Sequence, residues 1–235
     1  MKKLLALTIV FIIVFSSPAL AVGELIVTGE KYYIGEYRLG PTLQFFVEIT
    51  NISDKTIICY GGFLEALNQE GNTIELLTIP SSCPPVLGPG EIGYIFDDPD
   101  DIDEENKNNI TSYMLTVAGK VTNYRYTQYL PSLVKYGIVE KFNGSEALRI
   151  SVTVTNDTNS TLYDIKMIVA LYDSNDNLYI VDSIYQYGVG VIAGQSAEFY
   201  NDYSTEFFEL WKAGNTNPGR IEAIAYLVDD TLIIN

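Results

Sequence analysis

Along residues 148–156, "LRISVTVTN", Leu148, Ile150, Val152 and Val154 fall on one side of an extended chain. Arg149, Ser151, Thr153 and Thr155 fall on the other. Strict alternation is the mark of a strand with one buried face. The stretch 43–51, "LQFFVEITN", carries the same pattern, with Leu43, Phe45, Val47 and Ile49 as the inward set. Each run stops at an Asn followed by turn-forming residues, "NISDKT" and "NDTNST", whose side chains bond readily to nearby backbone.

The likeness continues along the chain. A second strand is predicted over 57–67 and again over 162–172. Each ends in a polar turn, "NQEGN" or "DSNDN", and a returning strand follows over 73–79 or 178–184. "GPGEIGYIFDD" at 88–98 resembles "IAGQSAEFYND" at 192–202, a Gly turn launching an alternating strand in both. Closing pairs are predicted at 112–118 with 121–126, and at 220–228 with 231–234. A repeat of roughly 105 residues is the size of a small β-domain, not of a solenoid unit. About seven short strands with turns every 8–12 residues describe an immunoglobulin-like β-sandwich. The expected fold is therefore all-β, two tandem sandwiches over 23–128 and 133–235. Pro131 breaks the strand at the join, and so short a linker suggests domains placed end to end.

The beginning of the chain follows another pattern. Lys2 and Lys3 precede the apolar run Leu4–Phe15, and Ala19 and Ala21 supply small residues before a cleavage point. Residues 1–21 read as a secretory signal peptide cut after Ala21. No Cys follows the run to carry a lipid, and no later segment is apolar enough to span a bilayer. The mature protein is expected outside the cytoplasm, secreted or associated with the cell surface.

Within the second copy, "VALYDSNDN" resembles the FxLYD domain family of exported prokaryotic proteins. Val169, Leu171, Tyr172 and Asp173 occupy its motif positions. The resemblance covers roughly 145–228 and implies an immunoglobulin-like fold and an exported setting, with no catalytic residues. The first copy departs from the motif, with Leu64, Leu67 and Asn68 at the matching positions and no Tyr. Read as a strand end, Val169 and Leu171 pack inward, Tyr172 faces the other way, and Asp173 opens a turn by bonding to backbone amides.

Charge narrows the partners. The chain carries 14 basic and 30 acidic residues, a net charge of −16. Without Lys2 and Lys3, 12 basic residues stand against 30 acidic ones, a net of −18. Such a surface repels nucleic acid and anionic membranes. The sequence has no His, which removes the commonest general base and metal ligand. A Ser or Cys triad in its usual form is thereby excluded, and no phosphate loop, nucleophile elbow or zinc cluster is present. A carboxylate pair of the glycosidase kind needs a cleft, which two small sandwiches seldom offer. Cys59 and Cys83 are expected to form a disulfide on the ground of an oxidising compartment. It would close a loop of about 25 residues and contribute about 3 kcal/mol.

Three further features invite chemistry. The run "DDPDDIDEEN" at 97–106 packs carboxylates closely, and Asp98, Asp100, Asp101 and Asp103 are the residues a calcium ion would use. The run lacks an EF-hand's glycine and terminal glutamate. It reads as a solvated loop, with no metal or cofactor assigned. Five sequons, at Asn51, Asn109, Asn143, Asn156 and Asn159, are glycosylation candidates in a host with the transferase and ordinary turn residues otherwise. Tyr124, Tyr126 and Tyr129 in one copy, and Tyr185, Tyr187, Tyr200 and Tyr203 in the other, offer aromatic contact surface. Trp211 is read as the anchor of a short helix. Together these features point to a non-enzymatic surface module for protein interaction, adhesion or spacing in the cell envelope, with other extracellular or envelope proteins as partners. The alternative is an extracytoplasmic binding protein for a carbohydrate or divalent cation. Flat faces with an exposed edge strand favour the first, and a deep polar pocket the second.

Overall fold

Backbone pairing turns the alternating runs into strands. The computed structural model describes residues 25–37, 40–123, 127–185, 188–203 and 220–228. The expected signal peptide at 1–21, the expected helix around Trp211 and strand 231–234, and Tyr124, Tyr126 and Tyr187 lie outside the described residues. In the first half run β1 (Leu25–Tyr37), β2 (Gly40–Asn51), β3 (Thr56–Leu67), β4 (Thr73–Ile79), β5 (Val86–Leu87), β6 (Ile92–Phe96), β7 (Asp100–Asp101) and β8 (Ser112–Thr122). In the second half run β9 (Thr127–Leu130), β10 (Ser132–Glu140), β11 (Glu146–Thr155), β12 (Lys166–Tyr172), β13 (Leu178–Ile184), β14 (Ser196–Tyr203) and β15 (Arg220–Val228). The fold is all-β: the described residues contain no helix, and every pairing is antiparallel.

The strands make four sheets. Sheet one joins β8 to one side of β3, with β4 and β5 along the other. Sheet two is β1-β2-β6, with β7 also on β2. Sheet three is β13-β12-β15-β9 and sheet four β10-β11-β14. Between sheets one and two, Leu43, Phe45, Val47 and Ile49 meet Ile57, Leu64, Ala66 and Val117 in one core. Between sheets three and four, Leu148, Ile150, Val152 and Val154 meet Met167, Val169 and Leu171 in another. Each side chain of this size taken fully out of water contributes about 1.5–3 kcal/mol.

A third cluster joins the two sandwiches. Phe46 and Tyr94 of sheet two pack against Ile168, Ala170, Tyr172, Ile180 and Tyr226 of sheet three. The four sheets thus form one stack, and the two middle sheets are covered on both faces. Sheets buried on both faces lose their alternation. Accordingly, β12 is buried at every residue after Lys166. This corrects the expected end-to-end placement: the short connection lets the sandwiches fold face to face, and the apolar outer faces of sheets two and three bring them together.

Several boundaries also differ from expectation. Residues 112–122 form one continuous strand, not two. β1 and β10 are long edge strands at segments not expected to be extended. β9, at the end of the first expected copy, pairs with β15 in the second sandwich. In β3 the ladder shifts at Gly61, whose φ of +88° and near contact with the Ile79 carbonyl leave no room for a side chain. There β3 passes from β5 to β4.

Candidate functional site

Tyr172, the aromatic residue of the family-like motif, sits at the centre of the contact between sandwiches. Its neighbours Val169 and Leu171 point into the second core, so the alternation of β12 turns Tyr172 towards sheet two. Its hydroxyl donates to Glu48 Oε2 across the interface and lies 2.8 Å from the Tyr94 hydroxyl. Glu48 also accepts from Thr28 Oγ1 at 2.6 Å. Tyr94 reaches Glu222 Oε2 at 3.2 Å, and Glu222 pairs with Arg220. The Arg220 guanidinium covers the Tyr172 ring at 3.6 Å and bonds Asp176 at 2.8 Å. Further links are Tyr33 to the Tyr179 carbonyl at 3.0 Å, Tyr129 to Glu91 at 2.9 Å, and Thr127 to the Val86 carbonyl at 3.0 Å. Glu48, Tyr94 and Tyr172, the buried members of this chain, are all bonded, and a satisfied buried network fixes one arrangement of its partners.

Burial, more than any other cause, holds the phenols of Tyr33, Tyr94, Tyr172 and Tyr226 above the usual value of 10. The nearby carboxylates add to it at Tyr94 and Tyr172. A phenol pushed up in the fold stays neutral there while the unfolded chain ionises. Its stabilising share is complete below pH 10 and is lost as pH rises beyond it. The melting temperature should therefore fall steeply above pH 10. Tyrosinate absorbance from these four residues should appear only with unfolding. Ionisation of all four in a still-folded protein would contradict the assignment.

Asp173 opens the turn after β12. Its Oδ1 accepts the amides of Asn175 and Asn177 at 2.8 and 2.9 Å. Desolvation raises its carboxyl, but these bonds and the Asn177 amide outweigh it and hold it below the usual range. Asn68 does the same in the first copy, accepting the amides of Glu70 and Asn72 at 3.0 and 2.9 Å. Thus the same turn forms in the copy that has no Tyr at the matching position.

The sequons divide into two groups. Asn51 and Asn156 are wholly buried. Asn51 Nδ2 donates to the carbonyls of Lys55 and Leu87 at 2.7 and 2.9 Å, and its Oδ1 accepts the Ser53 amide and hydroxyl. Asn156 Nδ2 donates to Ser160 and Val191 at 2.8 and 2.7 Å, and its Oδ1 accepts the same pair from Thr158. The Ser or Thr that completes each sequon is spent on this internal turn. Both positions are withdrawn as glycosylation candidates, because the nitrogen that would carry a sugar is buried and already bonded. Asn109, Asn143 and Asn159 are exposed.

The expected Cys59–Cys83 disulfide is not present: both thiols are free. Cys59 points from β3 into the first core. Cys83 bridges Tyr94 at the edge of sheet two and packs into the interface, where its thiol meets the Tyr226 hydroxyl. The two side chains serve different clusters. Burial pushes the Cys83 thiol up, against pulls from Tyr226 and Lys166, which leaves it a poor nucleophile. The native protein should resist alkylation at neutral pH and take up two alkyl groups when denatured without reductant. A linked Cys59–Cys83 peptide would refute this.

The acidic run does not gather. Asp100 and Asp101 form β7 against Thr42 and Leu43, so their side chains leave on opposite sides. Asp97 accepts the Asp98 amide at 2.8 Å, and the Asp103 amide donates to Glu75 at 2.9 Å. Burial raises Asp100, and the charges of Asp97, Asp101 and Asp98 raise it further. Among the described residues no three His, Cys, Asp or Glu side chains converge as a metal site. The expected tyrosine surface is dispersed as well. Tyr129 lies in the interface, Tyr200 lies under the Arg149 guanidinium at 4.0 Å, and Tyr203 is bonded to Asp182.

The two outer faces of the stack differ in character. On sheet one, Phe63 stands between Thr78 and Thr116, and Glu65 between Leu76 and Met114. Tyr60, Phe63, Leu76 and Met114 are exposed. On sheet four the matching face carries Lys135, Ser151 and Tyr200 in one cross-strand row and Leu133, Thr153 and Glu198 in the next, with Arg149 bound to Asp202 by two bonds of 2.7 and 2.8 Å. One shallow surface depression of about 510 Å³ is lined by Lys141, Phe142, Arg149 and Asp202 beside the β10–β11 turn. No periodic signal marks the apolar face in the sequence, because Gly61 interrupts the alternation of β3.

No family model matches the chain, and no curated protein matches it. Among solved structures, one similar chain is the N-terminal CBM22-1–CBM22-2 tandem domain of Xyn10C from Paenibacillus barcinonensis. The identity is 9% and the TM-score 0.17, over 87% of this chain and 85% of that one. A likeness at that score does not bear on function.

Proposed function

We propose that the protein is a non-enzymatic, exported module that presents one contact face on a rigid double sandwich, its second half an FxLYD-like domain. The observation that carries this reading is the outer face of sheet one. In the repeat, Phe63 corresponds to Ile168, and Ile168 is buried against the first sandwich. Phe63 holds the same place on a sheet whose outer face is open among the described residues, where Tyr60, Leu76 and Met114 are exposed as well. An apolar patch rimmed by polar residues marks an interaction surface. Other envelope or extracellular proteins are the proposed partners, and the signal-peptide pattern supports export. No helix among the described residues is long and apolar enough to cross a membrane.

A second reading has its own observation. Tyr60 and Phe63, with the Thr78 and Thr116 hydroxyls beside Phe63, combine ring faces and polar groups of the kind that hold a sugar. One experiment addresses both readings. The exported chain and its Tyr60→Ser/Phe63→Ser variant are tested against envelope proteins, a glycan array and a panel of hydrolase substrates. The proposal expects an envelope partner bound by the native chain and lost in the variant, with no turnover. Glycan binding lost in the variant selects the second reading. Catalytic turnover, or retention of the chain in the cytoplasm, defeats the proposal.

A further inference from the structure

We infer that β10 is a docking edge for a second copy of this chain, joining two copies of sheet four into one continuous sheet. β10 pairs with β11 along its whole length, Ser132 opposite Val154 through Glu140 opposite Glu146, without a bulge. Among the described residues no strand forms a ladder along its other side; β15 approaches only at its start, where the Ser132 hydroxyl donates to the Ala223 carbonyl at 3.3 Å. That side is open: Leu133, Tyr136 and Ile138 are 58%, 51% and 46% exposed.

Free strand edges invite pairing, and proteins guard them with bulges, inward charges or proline. Two other long edges are guarded in this way. β1 carries a bulge at Val27/Gly29 with Glu30 and Lys31 beyond it, and β14 carries Glu198 and Asp202. β10 has only Lys135 along its middle and Glu140 at its end.

The direction of its backbone groups is fixed by the neighbouring bonds. The Thr155 amide donates to the Pro131 carbonyl at 2.9 Å, and the Lys141 amide to the Ser145 carbonyl at 2.7 Å. In an antiparallel ladder this orientation alternates, so odd-numbered residues of β10 face β11. The amides and carbonyls of Ser132, Val134, Tyr136, Ile138 and Glu140 therefore face outward.

The strand is complementary to itself. A two-fold axis at Tyr136 falls on an outward-facing residue, as a hydrogen-bonded antiparallel pair requires. It sets Tyr136 against Tyr136, Val134 against Ile138, Leu133 against Val139 and Lys135 against Gly137, with Ser132, held to Ala223, at the margin. No like charges stand directly opposite. Val134, Tyr136 and Ile138 lie on the core side of the sheet, beside Val152, Ile150 and Leu148. Their counterparts across the axis extend a core that otherwise stops at the edge. On a chain of net charge −16, β10 and the turn after it bear Lys135 and Lys141 against Glu140 and Glu146. It is a place where two acidic copies can approach without a local excess of negative charge. The isologous contact closes on itself. It is independent of the contact face on sheet one.

Sedimentation of the exported chain at high micromolar concentration should give twice the monomer mass, with tighter association at higher salt as the overall repulsion is screened. Tyr136→Lys places two ammonium groups opposite each other, and Tyr136→Glu two carboxylates. Each variant alone should sediment as a monomer with unchanged circular dichroism, and their equimolar mixture should recover the dimer mass. A monomeric native chain, a dimer that survives Tyr136→Lys, or a mixture that stays monomeric would each overturn the inference.

Discussion

Replacing Tyr172 with alanine should cost about 4 kcal/mol of folding free energy, within the range for truncating a large buried aromatic. The loss has three parts. The ring leaves a gap among Ile168, Ala170 and Tyr226. Glu48, buried and deprived of its donor, keeps only Thr28, and a buried acceptor without its partner is expensive. Arg220 loses the ring it covers. Tyr172→Phe isolates one part, since it removes the hydroxyl and keeps the ring, and should cost about 2 kcal/mol for a bond to a charged group. The measurement is urea unfolding followed by tyrosine fluorescence and circular dichroism. The native chain should unfold in one transition because the sandwiches share a cluster, and Tyr172→Ala should split it into two. A Tyr172→Ala variant within about 1 kcal/mol of native, still unfolding in one step, would show that the contact between sandwiches contributes little.

The second large effect belongs to the buried asparagines. Asn156→Ala and Asn51→Ala should each cost about 3 kcal/mol, because two carbonyls and two donors lose a partner that is itself wholly buried. Asn156→Asp should cost at least as much. It turns a donor to Ser160 and Val191 into an oxygen facing two oxygens. Asn143 supplies the control: it is exposed and bonds only within its own turn, so Asn143→Ala should stay within about 0.5 kcal/mol. When the chain is made in a host with an oligosaccharyl transferase, glycopeptide mapping should find Asn51 and Asn156 bare. A glycan on either would mean that the turn is not closed as described.

The two cores were legible because their strands obey a period of two. The inward sets at 43–49 and 148–154 follow from the pattern, as does the Asx turn at Asp173 and its echo at Asn68. The third cluster was not legible, since a sheet covered on both faces has no alternation to read. The runs "FF" at 45–46 and "MIVALY" at 167–172 carried the hint. Glu48 concealed it, because a glutamate on the second face of a strand looks like a solvent position. β1 and β10 escaped notice because charges and glycines interrupt their apolar residues, which long-range pairing with β2 and β11 overrides. The disulfide expectation rested on compartment, and compartment says nothing about where two side chains point. The asparagine turns show the opposite case: three letters that spell a sugar acceptor also spell a self-contained hydrogen-bonded loop, and only burial separates the two.

The stack in which sheet two of one copy lies on sheet three of the other has an implication for inheritance. Repeated sandwiches are commonly thought of as beads that recombination can add, drop or reorder. Here a single bead would carry an uncovered wall of Phe46 and Tyr94, or of Ile168, Ala170 and Tyr226, and such walls aggregate. The pair is therefore the smallest piece that can be moved between genes. The wall residues of each copy are also tied to substitutions in the other, so the duplicates are bound to diverge together.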